Sequence, residues 1–166
     1  MTQLRFALCD PEASPASELL GEMTLELNEM YERFDRLDKP ALVPAELRPP
    51  SGAYLVGWEG DLAVAGGGVR SLVAELAEIK RMYVRPAGRS RGVAASLLVA
   101  LESTASDLGY RRVRLDTGPL QVHAQRLYRR SGYVEIAPYN DNPFASYWGE
   151  KILSVTSQPL DSPDVG

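Results

Sequence analysis

The stretch from Val84 to Leu98, VRPAGRSRGVAASLL, limits what this chain can fold into more than any other. A proline, two glycines and three arginines follow an apolar run of strand character. Val93, Leu97, Leu98, Leu101, Ala105 and Leu108 then recur at helical spacing, and Gly109 stands where a helix can end. A strand that feeds a helix through such a turn leaves the helix's first amide protons without internal partners, at the positive end of its dipole. Glycine lets an anion approach that backbone closely, so the junction suits a phosphate. Arg85, Arg89 and Arg91 add positive charge. Gly88 and Gly92 also serve as plain turn residues, and the loop by itself leaves both readings open.

Two common phosphate loops do not fit. The P-loop needs G-x-x-x-x-G-K-[ST], but Gly88 and Gly92 are too close and no lysine follows. The dinucleotide fingerprint G-x-G-x-x-G is absent. Charge is uneven along the chain. Residues 1–62 carry twelve acidic and five basic side chains, a net of −7, and residues 80–130 carry eleven basic and three acidic ones, a net of +8. An anionic ligand is expected at the basic segment and a cationic one at the acidic half. The basic residues form no run with interleaved aromatics, so nucleic acid is not an expected partner. No segment approaches the ~18 apolar residues of a membrane span, and MTQLRFALCDPE does not read as a signal peptide. The single cysteine, Cys9, has no internal disulfide partner and reads as a buried thiol; a cytoplasmic protein is expected.

Periodicity predicts the order β-α-β-β-β-α-β-α-β-β, a mixed α/β layout, as one domain over residues 1–153 with a disordered tail from 154 to 166. Residues 3–9 form a strand. Ser14 caps a helix with Pro15 in its first turn, and Leu19, Leu20, Met23, Leu27, Met30, Tyr31 and Phe34 share one face of it. Glu18, Glu22, Glu26 and Glu29 line another face, either a solvated one or a rim that attracts a cation. The proline-rich loop 39–52 is long enough to be a functional lid. AYLVGWE and LAVAGGGVRSL make a hairpin across EGD. Gly66, Gly67 and Gly68 signal a bulge or a close approach by another group. Residues 74–84 continue as a third antiparallel strand. RRVRLDT, YVEIAPY and ASYWGEKIL are later strands, and LQVHAQRLYRRSG is a short helix closed by Gly132.

Arg89-Ser90-Arg91-Gly92-Val93-Ala94 resembles the R/Q-x-x-G-x-G/A signature of the GCN5-related N-acetyltransferases (GNAT), and LDTGPLQVHAQRLYRRSGYVEI is similar to the second half of that family, with its A-x-x-L-Y-x-x-x-G-F/Y helix. The two motifs lie within a match from about Ala53 to Leu153. The resemblance implies an α/β (α+β) fold with a central mixed, mostly antiparallel sheet, splayed between the strands at 74–84 and 112–117 and flanked by helices. It implies acetyl-CoA as cosubstrate, with the pantetheine arm paired against the backbone of Met82, Tyr83 and Val84. The pyrophosphate would lie on the amides of Arg89, Ser90, Arg91, Gly92, Val93 and Ala94. Gln121 stands where the family often has an asparagine that contacts CoA.

The chemistry such a family implies is direct transfer of an acetyl group to a primary amine. The amine must lose a proton, the oxyanion needs a donor and the leaving thiolate an acid. Tyr128, in Ala124-Gln125-Arg126-Leu127-Tyr128, matches the family tyrosine near the CoA sulfur; periodicity alone favours a core aromatic, and the resemblance reverses that reading. Glu78 is the candidate base. Alternation along a regular strand puts it on the face of Met82 and Val84, and an ion pair with a neighbouring strand is its other reading. The backbone amide of Met82 or Val84 is the candidate donor to the oxyanion. His123 has no partner nucleophile, and no cluster has metal-ligand spacing, so no metal is expected. Glu22, Glu26, Glu29, Tyr31, Tyr139, Asp141, Phe144 and Trp148 suggest an acceptor rim suited to a small cationic amine. A non-enzymatic acyl-CoA-binding module on the same fold is the rival expectation, and a homodimer is left open.

Overall fold

The computed structural model describes residues 3–31 and 42–154. The predicted order of elements is the observed one: β1 (Leu4–Leu8), α1 (Ala16–Tyr31), β2 (Ala53–Glu59), β3 (Leu62–Val73), β4 (Leu76–Val84), α2 (Val93–Asp107), β5 (Arg112–Thr117), α3 (Val122–Arg130), β6 (Val134–Glu135) and β7 (Tyr147–Ile152). The seven strands form one sheet in the order β1-β2-β3-β4-β5-β7-β6. Every pairing is antiparallel except β4 with β5, and α2 supplies the crossover between those two. Among the described residues no helix is long and apolar enough to cross a membrane.

Two apolar layers follow from the alternation of the strands. Leu97, Leu98, Leu101 and Ala105 of α2 pack with Ile79, Val113, Leu115 and Tyr128 on one face. Ala16 and Leu19 of α1 pack with Leu47, Tyr54, Val56 and Tyr83 on the other. Gly66, Gly67 and Gly68 cross the sheet between these layers. A Cβ at Gly66 would meet the Tyr54 hydroxyl, one at Gly67 the Leu101 side chain and one at Gly68 the Leu47 side chain. The triple glycine is thus a close approach from both faces, and it also borders a bulge, because the β3–β4 register shifts between Gly66 and Gly68.

Several local expectations change. Ser14 donates its hydroxyl to the Glu18 carboxylate (2.8 Å) rather than capping an amide, and α1 starts at Ala16, beyond Pro15. The described part of the proline-rich loop is anchored to the body of the fold. Pro44–Leu47 is a 3₁₀ turn, Leu47 is 1% exposed in the α1-side core, and Arg48 grips Asp10 at 2.9 Å. Cys9 is half-buried. The predicted strand 133–139 pairs only over two residues. Phe34, residues 39–41 and the tail beyond Ser154 lie outside the described residues.

Candidate active site

Pairing between β4 and β5 ends at the row Glu78–Arg114. Beyond it the strands diverge. β4 runs on through Lys80, Met82 and Val84, still paired to β3 at Tyr83 and Val84, and its other backbone edge has no registered strand partner there. β5 runs on through Asp116 and Thr117, held from its far side by β7. The predicted splay is therefore present, with a free strand edge inside it.

At the mouth of the splay Pro86–Gly88 forms a 3₁₀ turn, and α2 begins at Val93 with Gly92 as its N-cap. Ser90 (φ 64°) and Gly92 (φ 77°) are both left-handed, a backbone arrangement that turns successive N–H groups to one side. The Ser96 amide makes the helix bond to the Gly92 carbonyl (3.1 Å), so the amides of Val93, Ala94 and Ala95 precede the ladder. No atom lies within 4 Å of the place where a Cβ on Gly92 would sit. This is an open cup of amides at the end of a 15-residue helix.

The arginines do not point into that cup. Arg85 makes two bonds to the Glu22 carboxylate, at 2.9 and 2.8 Å, and one to the Ala63 carbonyl. Arg89 binds Glu26 at 2.7 and 2.9 Å, the Val84 carbonyl at 2.9 Å, and lies 5.7 Å from the Tyr83 ring centre. Arg91 binds Glu59 and the Ala87 carbonyl. Each guanidinium already has a carboxylate partner, which leaves the backbone to receive an anion. The same contacts divide the glutamate stripe of α1. Glu22 and Glu26 hold arginines and Glu29 faces solvent, so two carboxylates of the expected acidic rim are neutralised.

Glu78 departs from its expected face. Arg81 has φ 59°, and two residues of β4, Arg81 and Met82, stand opposite Gly67 alone. One extra residue inverts the alternation. Met82 and Val84 therefore pack with the α2-side core, while Tyr83 belongs to the α1-side core. Glu78 and Lys80 lie on the opposite face from Met82. Glu78 is 0% exposed. Arg70 of β3 donates to its Oε1 at 2.8 Å, the Tyr139 hydroxyl donates to its Oε2, and Lys80 Nζ is 3.5 Å from that oxygen. The ion pair with a neighbouring strand is real. Burial, with Glu78 beside it, pushes the Tyr139 phenol well above its usual value.

Tyr128 comes from α3 on the other side of the sheet and is 7% exposed. Its hydroxyl reaches across the splay to Met82 Sδ at 3.8 Å, and its ring stacks on Tyr147. Burial, reinforced by the charge of Asp116, holds its phenol above the usual range and therefore protonated at neutral pH. Gln121 caps α3. Its Oε1 accepts the Gly118 amide (3.0 Å) and the Tyr31 hydroxyl (3.4 Å), so its side chain is engaged in bolting the β5–α3 loop to the end of α1. Phe144 packs on Tyr31 at 5.6 Å. His123 is exposed, and among the described residues no group of His, Cys, Asp and Glu could hold a metal.

Sequence reasoning did not find the rest of the cluster at the point of divergence. Lys80 meets Asp116 at 3.2 Å. Asn140 and Asn142 donate to Asp116 Oδ2 at 2.6 and 3.4 Å, and the Trp148 indole donates to Asn140 at 2.9 Å. The available signal was Asp116 itself, the one acid in the basic strand RRVRLDT.

A free strand edge beside an amide cup, with a neutral phenol across the gap, is an arrangement suited to an acyl-CoA-dependent transferase. The residues fit that cosubstrate. The cup admits a diphosphate and the edge an extended amide chain, and the buried Thr117 hydroxyl on the diverging arm has no protein hydrogen-bond partner. Residues 19–133 match the Acetyltransferase (GNAT) family, and the chain belongs to it. It is similar to the uncharacterized N-acetyltransferase YsnE of Bacillus subtilis (28% identity over 131 residues, 75% of this chain and 87% of the relative). It is also similar to an IAA acetyltransferase of Azospirillum brasilense (26% over 153 residues, 89% and 97%). Among solved structures it resembles the putative acyl-CoA N-acyltransferase of Klebsiella pneumoniae, with a TM-score of 0.71 at 25% identity over 92% of this chain and 99% of the other.

Proposed function

We propose that this N-acetyltransferase moves the acetyl group of acetyl-CoA directly to the primary amine of a small molecule that arrives as an ammonium. The observation that carries the reading is a pair of polar contacts at the splay: Tyr128 of α3 to Met82 of β4 on the α2 face, and Lys80 of β4 to Asp116 of β5 on the α1 face. Bound in the splay, acetyl-CoA supplies an activated acyl carbon. The amides from Arg89 to Ala94 hold the diphosphate, and the β4 edge at Met82, Tyr83 and Val84 orients the arm. An N–H of that edge, at Met82 or Val84, steadies charge on the acyl oxygen. Tyr128, held neutral, gives a proton or a hydrogen bond to the departing sulfur. Glu78 is the buried end of the polar network on the acceptor side. It is joined to Asp116 through Lys80 and to the 136–146 loop through Tyr139, and it serves proton removal through those neighbours. Two buried carboxylates, Glu78 and Asp116, lie on the acceptor side of the splay and share Lys80 between them, and they support an ammonium-bearing acceptor.

The test is a thiol-release screen of acetyl-CoA against a panel of primary amines. Turnover with ammonium-bearing small molecules is expected. A chain whose melting temperature rises with acetyl-CoA but which releases no thiol with any amine is a binding module instead.

A further inference from the structure

The strands part after Glu78 and Arg114, and Lys80 and Asp116 each stand two residues beyond that row. They face each other at the first level where the arms are separate. The Asp116 side chain is 6% exposed, and its carboxylate is aimed by Asn140 and Asn142, with Trp148 fixing Asn140 in turn. Its charge also bears on the Tyr128 phenol from across the gap. Glu78 lies one level deeper, inside the paired sheet, with Oε1 taken by Arg70 and Oε2 by Tyr139. Tyr128 and Asp116 belong to opposite faces of the sheet: one is on the side where Met82 packs, the other on the side of Lys80. An acyl carbon held between the arms would have a proton donor on one side and a carboxylate on the other. Those are the two positions that departure of sulfur and arrival of nitrogen require.

We propose that Asp116, and not Glu78, is the catalytic carboxylate that meets the acceptor amine. This rests on the transferase reading above. The incoming ammonium takes the place of Lys80 Nζ at Asp116, and Lys80 keeps Glu78, 3.5 Å away, as its counter-ion. One N–H bond of the ammonium breaks toward Asp116. The freed lone pair forms the C–N bond to the acyl carbon, the C–S bond breaks, and the thiolate takes the proton of Tyr128. The second N–H proton of the former ammonium is lost as the amide forms. Tyr128 recovers its proton from solvent, Asp116 returns its own, and the net yield is amide, free thiol and one proton.

The experiment uses the full chain with acetyl-CoA and two nucleophiles: the alkylamine that turns over fastest in the screen, and hydroxylamine, which is largely unprotonated at neutral pH. Asp116→Asn should lower kcat for the alkylamine by about 10²–10⁴, the usual worth of a placed acid–base group. It should keep most of the hydroxylamine rate and leave the calorimetric Kd for acetyl-CoA unchanged. The double variant Lys80→Met with Asp116→Asn removes both charges, and carries the test if the single variant does not fold. The double variant should stay as slow as the single one. Recovery of the parent rate in the double variant would mean that Asp116 only neutralises Lys80, and would overturn the proposal. Equal losses with both nucleophiles, or an alkylamine rate within threefold of the parent, would overturn it too while leaving the transferase reading standing. A parent chain that turns over no amine at all overturns both.

Discussion

Arg89, the first residue of the glycine-loop signature, turns its guanidinium onto Glu26 of α1 through bonds of 2.7 and 2.9 Å instead of into the cup above Gly92. Four residues earlier on each element, Arg85 and Glu22 repeat the contact. The spacing matches one helical turn of α1, so the loop and the helix are joined at two points. At its far end α1 reaches the opposite side of the splay, where the Tyr31 hydroxyl accepts the Leu120 amide at 3.2 Å. The helix is a crossbar over the opening.

The Arg89–Glu26 pair is half-exposed, and such pairs contribute under about 1 kcal/mol. Glu26→Gln should therefore barely change the melting temperature. It should also remove a negative charge near the diphosphate and release a guanidinium toward it. Calorimetry should show acetyl-CoA binding tightened by about two- to fivefold, the equivalent of up to ~1 kcal/mol. Weaker binding in this variant would mean that the clamp preorganises the loop.

Gly92 occupies a left-handed conformation with open space above it. A side chain there costs roughly 1–2 kcal/mol in strain and fills the approach to the amides. Gly92→Glu should fold with a modestly lower melting temperature and lose the stabilisation that acetyl-CoA confers on the parent. Gly92→Asn, which tolerates the same backbone, should recover the stability but only part of the ligand response. Thermal melts with and without acetyl-CoA decide this.

Removal of the Tyr128 hydroxyl leaves the ring stacked on Tyr147. The 3.8 Å contact to Met82 Sδ is a weak one, so Tyr128→Phe should keep its stability and its acetyl-CoA affinity. Its kcat should fall by about 10²–10⁴. A parent rate with normal acetyl-CoA binding would return Tyr128 to packing alone.

Acid should loosen the crossbar. Hydrogen bonds from Arg85 hold the Glu22 carboxyl below its ordinary 4.5, against the opposing effect of burial. A depressed carboxyl contributes stability that is fully present above the unfolded value and is lost as pH falls through the folded one. The parent should lose a small part of its melting temperature to this group as pH drops below about 4.5. Glu22→Gln should start lower at neutral pH, lose less over that window and converge with the parent in strong acid. Parallel curves for the two proteins would show that Glu22 is not linked to acid unfolding.

The chain's order of elements was legible because each carries its own local signal: the 3.6-residue spacing of Leu97, Leu98, Leu101 and Ala105, the alternation in RRVRLDT, and Gly109 and Gly132 at helix ends. The glycine loop was legible for the same reason, since the N-cap at Gly92 and the free amides after it depend on a few adjacent residues. Tyr128 is a candidate through its motif, and the structure sets its hydroxyl on Met82. The face of Glu78 was misjudged because alternation assumes a regular strand. The bulge at Arg81 arises from the register of β4 against β3, which no pattern within β4 reports. From the sequence the loop arginines read as added charge, but their partners Glu22, Glu26 and Glu59 lie about 30 to 60 residues away and meet them only when α1 and the β2–β3 hairpin fold over the loop. Asp116 drew no notice as one acid in a basic strand; its weight comes from Lys80, Asn140 and Asn142, brought to it by strand divergence and by the loop before β7. Local chemistry determined the elements and the anion cup. Long-range pairing decided which charges remain available and which carboxylate stands at the opening, because both depend on distances that only the closed sheet establishes.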